Sequence, residues 1–223
     1  GIPVYIRPSF WVVLAIFGGA LSISSVEDLI YPALFVIAGF VAILSHEMGH
    51  ALVGRKLGGG QQTIVLELFG GLTSSHGMQL TRGGRALMIL AGPMMTLLLG
   101  IISLGLTWNI VAPVMTSYNL NFWDLAISPF TAALISPKLY ILSCLIMIGE
   151  WWTILNLLPI YPLDGGQLIA QYIRSPRKVF MTGFITAILI GLLSFQLFHG
   201  YFIPIFMALF AYSNYREYKN APF

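Results

Sequence analysis

The sequence predicts an all-α polytopic membrane protein of about six transmembrane helices with a small β-hairpin, and three observations predict it. Hydrophobic residues make up 57% of the 223 residues and charged residues only 9%, with a mean hydropathy of +0.85; this balance belongs to integral membrane proteins rather than soluble domains. Six apolar segments, at about 9–26, 31–54, 86–108, 139–158, 179–198 and 201–214, approach the length that roughly 30 Å of hydrocarbon requires. Between the second and third lies a stretch rich in β-branched residues and bounded by glycines, the pattern of a hairpin.

The first segment follows Arg7 and Pro8 and is closed by Glu27 and Asp28. A cleaved signal peptide over residues 7–22 is its competing reading, since a basic residue, an apolar run and small residues at Gly18-Gly19-Ala20 imitate one. The second segment ends at Arg55 and Lys56, and Thr63 to Thr73 then forms the hairpin. Arg82 and Arg85 open the third segment, and Lys138 precedes the fourth. Arg174, Arg177 and Lys178 separate the fourth from the fifth, and the short sixth is followed by Arg216 and Lys219.

With the amino terminus in the cytosol, every one of the eleven basic residues except Lys138 falls on the cytosolic side, as the positive-inside rule requires. Both termini are therefore expected in the cytosol. Net charge +3 carries no nucleic-acid reading, because the basic residues sit at the ends of apolar segments where they orient a membrane protein. The lone Cys144, in an apolar run, excludes a disulfide framework or a cysteine-rich zinc site and reads as a small buried hydrophobe.

Chemistry enters at His46-Glu47-Met48-Gly49-His50, inside the second apolar segment. On a helix, residues four apart share a face, so both imidazoles reach one Zn²⁺ while Glu47 projects beside them towards a water on the metal. Such a water ionises near neutral pH, and the carboxylate can take its proton and pass it to a leaving amine. A chance pattern on a solvated helix is the alternative, but three ionisable residues between Phe40–Leu44 and Ala51–Val53 are costly in lipid without a function. At 1.5 Å per helical residue the histidines sit roughly 8–14 Å in from the basic end at Arg55.

A catalytic zinc needs a third protein ligand and an open position. Glu67, His76, Glu150, Asp164 and His199 are the candidates. His76, in the polar run Thr73–Gly77, reads as a solvated loop residue, and His199 beside Gly200 as an outer-interface residue. Glu150 lies in the middle or outer half of the fourth span, far from the cytosolic end where the histidines are; its expected place is inside the bundle near Trp151 and Trp152. Asp164 fits, because it precedes the basic cluster at Arg174 by ten residues, close to the offset of His46 from Arg55. Its surroundings, Asn156 to Gly166, contain two prolines that interrupt a helix and two glycines that permit close backbone approach. Broken backbone at membrane depth is tolerated where it lines an enclosed or watery cavity. A plain interhelical turn with a solvated aspartate is the alternative.

These residues together resemble the site-2 proteases, intramembrane zinc metalloproteases, in a compact form without PDZ or CBS domains. His46–His50 looks like the family's zinc motif, Asn156–Gly166 like its second motif with the third ligand at the aspartate, and Gly1–Val4 with Pro8–Phe10 like the start of many members. The resemblance implies a single transmembrane metalloprotease domain over 1–223, one Zn²⁺ per chain on His46, His50 and Asp164, and Glu47 as catalytic base. It implies that the hairpin is membrane-associated and pairs with an unwound substrate, which places Phe69, Gly70 and Gly71 at the substrate, and that Asn156 holds the substrate backbone. Ala91-Gly92-Pro93-Met94-Met95-Thr96 looks like the family's Gly-Pro-x-x-Asn element, with Thr96 where asparagine is usual.

The implied function is an intramembrane zinc endopeptidase that cleaves transmembrane segments of membrane-anchored proteins, in regulated proteolysis or clearance of signal-peptide remnants. Its partners are transmembrane substrates, the lipid bilayer and a possible regulatory membrane protein, and its location is a prokaryotic cell membrane with the site nearer the cytosol. A zinc-transporting membrane protein and a catalytically inactive, substrate-sequestering relative are the rivals. Transport gives Glu47 no task, and an inactive relative gives no reason for an intact motif.

Overall fold

A computed structural model describes residues 1–68, 70–77, 79–118 and 121–222. It is mostly helical, with a small three-stranded sheet, and divides into two compact units, residues 1–153 and 154–223. The boundary falls near the end of one helix.

In the first unit a short strand, β1 (Val4–Ile6), leads into α1 (Pro8–Phe17). Helix α2 (Ile30–Gly58) follows, then β2 (Gln61–Glu67) and β3 (Gly70–His76). Next come α3 (Arg82–Tyr118), the short α4 (Phe122–Ile127) and α5 (Pro129–Ala133), and α6 (Pro137–Leu157). The second unit holds the end of α6, then α7 (Asp164–Ala170), α8 (Pro176–Phe198) and α9 (Phe202–Asn220).

Among the described residues, four helices are long and apolar enough to cross a membrane: α2, α3 over Arg82–Pro113, α6, and α8 over Pro176–Leu197. The expected six are not all reached by that criterion. The first segment stops after ten residues, since Gly18 caps the helix through Leu14 O and Gly19 turns left-handed at φ 87°; ten residues span only about 15 Å. The last segment does form α9, but its second half, Ser213 to Asn220, is polar.

Helix α2 shows how sequence positions the chemistry. Its buried face runs Ala38, Ala42, His46, His50 and Gly54, one residue every four, so the histidines continue a stripe of small residues that brings a neighbour close. Gly49 is where that neighbour arrives: a Cβ there would collide with the Ala91 carbonyl of α3. Gly59, at φ 66°, ends the helix with its N–H on Arg55 O, and Arg55 and Lys56 complement the carboxyl-terminal dipole.

The hairpin is longer than expected and has a third member. β2 pairs antiparallel with β3, Gln61 opposite His76 and Glu67 opposite Gly70, while β1 adds parallel to β2 with Val4 opposite Ile64. Parallel pairing with β1 joins residues some sixty positions apart, so no local signal announces it. Gln62, Ile64 and Leu66 alternate into the protein, and Ile64 and Leu66 complete a core with Phe10, Leu14, Ile43 and Ala51. His76 is thus the end of a strand rather than a loop residue, and it stays exposed.

Glu150 is a second correction. It lies exposed on α6, and Trp151 beside it is 54% exposed. Each residue turns a helix by about 100°, and α6 directs Gly149 and Thr153 at α3, which turns Glu150 and Trp151 outward.

The second unit has its own core of Ile160, Ala187, Met207 and Ala211. Between α6 and α7 the chain is irregular, as the two prolines require. The glycines after Asp164 do what the sequence suggests: a Cβ on Gly165 would meet the carbonyls of Leu157 and Leu158, and one on Gly166 the backbone of Ile160 and Tyr161.

Candidate active site

Two imidazoles meet on α2. His46 and His50 are buried, 2% and 8% exposed, and their Nε2 atoms stand 3.1 Å apart with the rings edge to face. Two nitrogens each about 2.05 Å from one tetrahedral ion are roughly 3.3 Å apart, so the rings already hold the spacing of a shared metal.

The protonation of one ring follows from its partner. His50 Nδ1 lies 2.8 Å from Met88 O, and a carbonyl only accepts, so the ring hydrogen is on Nδ1 and the Nε2 lone pair is left for a metal. Backbone also sets the floor of the site. A Cβ on Gly92 of α3 would fall 2.9 Å from His46 Nε2 and collide with His50 Nε2. Only glycine leaves that space, and it lies where the two nitrogens converge.

Glu47 is 5% exposed and is held from the sheet. Thr73 Oγ1, on β3, donates to Glu47 Oε2 at 2.7 Å, and the Glu47 backbone oxygen is also within 3.1 Å of that hydroxyl. Gly71, two residues earlier on the same face of the strand, lies against the same side chain: a Cβ there would collide with Glu47 Cγ and sit 2.7 Å from Oε1. One end of the carboxylate is therefore oriented by a hydroxyl and the other packed by bare backbone.

The remaining expected residues take these places. Gly70 opens β3, opposite Glu67, and faces the Trp152 ring. Phe69 lies outside the described residues. Asn156, 9% exposed, is in the last turn of α6, and Asp164, 6% exposed, is the first residue of α7; both belong to the second unit. His46, His50 and Asp164 are a donor set compatible with zinc, two borderline-soft nitrogens and one carboxylate. Glu67 instead pairs with Arg7 at 3.0 Å on the surface, and His199 caps α8 in a left-handed conformation, φ 50°.

Sequence reasoning missed Thr73, Gly92 and the Met88 carbonyl as parts of this site. Gly92 lies in the element that resembles the family's Gly-Pro-x-x-Asn sequence, but nothing in the sequence points it at the imidazoles. Thr73 carried a faint signal in its place on the hairpin, and a backbone carbonyl carries none.

A model of Peptidase family M50 matches residues 34–198. Zinc metalloprotease MJ0392 of Methanocaldococcus jannaschii is 29% identical over 223 residues, covering 95% of this chain and 56% of that protein. A Synechocystis protein provisionally named zinc metalloprotease sll0528 is 28% identical over 185 residues, 78% of this chain and 42% of its own length. The chain thus spans about half the length of these curated relatives. Among solved structures, the site-2 protease of Methanocaldococcus jannaschii superposes with a TM-score of 0.61 at 25% identity, covering 98% of this chain and 91% of that one.

Proposed function

Because this chain belongs to peptidase family M50, we propose that it is an intramembrane zinc endopeptidase that cleaves membrane-spanning segments of anchored proteins, with Glu47 as its acid–base residue. One observation carries the proposal: Glu47, adjacent to a converging imidazole pair, is oriented by Thr73 on the sheet, an arrangement made for proton transfer. His46 and His50 would hold the metal from α2, and Asp164 would complete the set from α7. Zinc, when bound there, supplies a Lewis acid that polarises a peptide carbonyl and acidifies water.

The chain's own groups do the rest. Glu47 takes a proton from the attacking water on the oxygen that Thr73 does not hold, and returns it to the departing amine. The Met88 carbonyl keeps His50 in one tautomer throughout. β3 is an outer strand in the order β1-β2-β3, and its far edge, paired with no strand among the described residues, suits an extended peptide added as a further strand. A helix hides its amide bonds, so a transmembrane substrate must unwind before it is cut, and such pairing compensates its backbone. Asn156 is proposed to hold that backbone as well.

The chain is an integral membrane protein, and its charge pattern supports a cell-membrane location with both termini and the nearer face of the site in the cytosol. Substrates are membrane proteins of its own bilayer.

The test is cleavage of a purified single-span substrate in detergent by the unaltered protein, by Glu47→Gln, and by chelated protein before and after zinc is restored. Loss of about 10²–10⁴-fold is expected for Glu47→Gln, and chelation should abolish a cleavage that zinc restores. Cleavage that survives in Glu47→Gln would sink the assignment of the base. Zinc uptake without cleavage of any substrate would favour the transport or sequestering readings.

A further inference from the structure

Asp164 stands at the end of a stretch, Leu158 to Leu163, that belongs to neither α6 nor α7. In a bilayer every backbone group of such a stretch needs a partner. Some are local: Leu158 N–H reaches Leu155 O, Ile160 N–H reaches Leu158 O at 2.7 Å, and Leu163 N–H reaches Ile160 O at 2.8 Å. The Pro162 carbonyl accepts from Gln167 Nε2 at 2.9 Å. The Tyr161 carbonyl is served from fifty-three residues away, by Asn214 Nδ2 on α9 at 2.6 Å.

Asn214 is built for that single task. It is 1% exposed, although it opens the polar second half of α9, so its side chain turns into the protein. Its amide spends one hydrogen on Tyr161 O and the other on Phe210 O, one turn back at 2.9 Å, so two acceptor carbonyls identify the nitrogen and orient the group. The helix alongside makes room for it. A Cβ on Gly183 of α8 would collide with Asn214 Oδ1 and lie 3.3 Å from Ile160 Cα, so one missing side chain admits both the amide and the irregular backbone. Ile160, fully buried, anchors the same point in the core with Met207 and Ala211.

We propose that Asn214 is a positioning residue for the metal site: its amide locks the backbone three residues before Asp164, and so sets where that carboxylate is presented. The role lies beyond residues 34–198, the part of the chain that matches the family. It rests on Asp164 being a metal ligand, as proposed above. A ligand carried on unsupported backbone wanders, and outer contacts that hold ligands typically change metal affinity by about 10–100-fold when removed.

Two measurements on the full chain in detergent test it. The first is amide hydrogen exchange of residues 163–168 in metal-free protein, comparing the unaltered chain with Asn214→Leu, Asn214→Ser and Met207→Ala. Asn214→Ser can still bond Phe210 O but cannot reach Tyr161, so it removes the lock without overfilling the core. Met207→Ala weakens the same core without touching the lock. Exchange is expected to speed up at least about tenfold in both Asn214 variants and not in Met207→Ala, although the latter lowers the unfolding midpoint.

The second is cobalt titration followed by its visible absorption, adding Asp164→Asn. Cobalt should bind about 10–100-fold more weakly in the Asn214 variants and unchanged in Met207→Ala. Exchange in both Asn214 variants equal to the unaltered chain would overturn the proposal, as would faster exchange with unchanged cobalt affinity when Asp164→Asn itself weakens cobalt. If Asp164→Asn leaves cobalt binding and its spectrum intact, the ligand assignment fails and the positioning role with it, while the exchange data stand as evidence of the backbone lock alone.

Discussion

The Thr73 hydroxyl donates to Glu47 Oε2 at 2.7 Å, which ties the middle of the edge strand to the proposed base in the middle of a membrane helix. The strand and the carboxylate cannot then move independently, so a peptide paired with β3 as proposed would be brought into register with the base by the same residue.

Thr73→Val removes that donor while keeping the shape of the side chain. A hydrogen bond to a charged group is worth about 1.5–3 kcal/mol, so cleavage should fall by roughly 10–100-fold, in kcat more than in KM, and Thr73→Ser should keep most of it. Steady-state kinetics on a single-span substrate decide it; equal rates for valine and threonine would remove Thr73 from the mechanism.

Gly92 gives a prediction about metal rather than rate. Gly92→Ala places a methyl where the two Nε2 atoms converge, and the protein should be isolated with far less zinc than the unaltered chain. Among the described residues nothing lies within 4 Å of the would-be Cβ of Gly105 on the same helix. Gly105→Ala should therefore retain zinc and gain up to about 1 kcal/mol from helix propensity. Elemental analysis of both variants is the check, and full zinc in Gly92→Ala would show that the floor of the site yields.

Thr96 stands where the resemblance implied an asparagine, and its surroundings show what its hydroxyl does. It is fully buried, its hydroxyl lies 2.9 Å from that of Thr153 on α6, and Thr153 also bonds Gly149 O at 2.6 Å. Thr96→Val and Thr153→Val should each cost about 1 kcal/mol, with the double variant costing less than the sum because the two share one bond. Thr96→Asn adds bulk at a fully buried position whose hydroxyl already lies 2.9 Å from Thr153 Oγ1, and overpacking of that kind costs about 1–3 kcal/mol. Denaturation in mixed micelles reads all four; strict additivity of the two valine changes would mean that the hydroxyls do not interact.

His46, Glu47 and His50 were legible because a helix converts a spacing of four into a shared face without help from the rest of the chain. Asp164 was legible for a related reason: prolines and paired glycines around an acidic residue mark broken backbone in an apolar protein. The membrane class followed from composition alone. Span count was less secure, since Gly18-Gly19 end α1 early and hydropathy does not register a backbone turn.

What composition and spacing determined, then, was the membrane class, the helix that carries the imidazole pair and the identity of the candidate ligands. Only the tertiary structure decided how they are held. Thr73 reaches Glu47 across 26 residues, Met88 O reaches His50 across 38, and Asn214 reaches Tyr161 across 53. The parallel strand β1 joins β2 across sixty. Local propensity fades within a few residues, whereas these partners meet because packing of helices with small residues at their crossings brings distant backbone close. A glycine at such a crossing, Gly92 or Gly183, is unremarkable in the sequence and specific in the fold, since what matters there is the side chain that is missing.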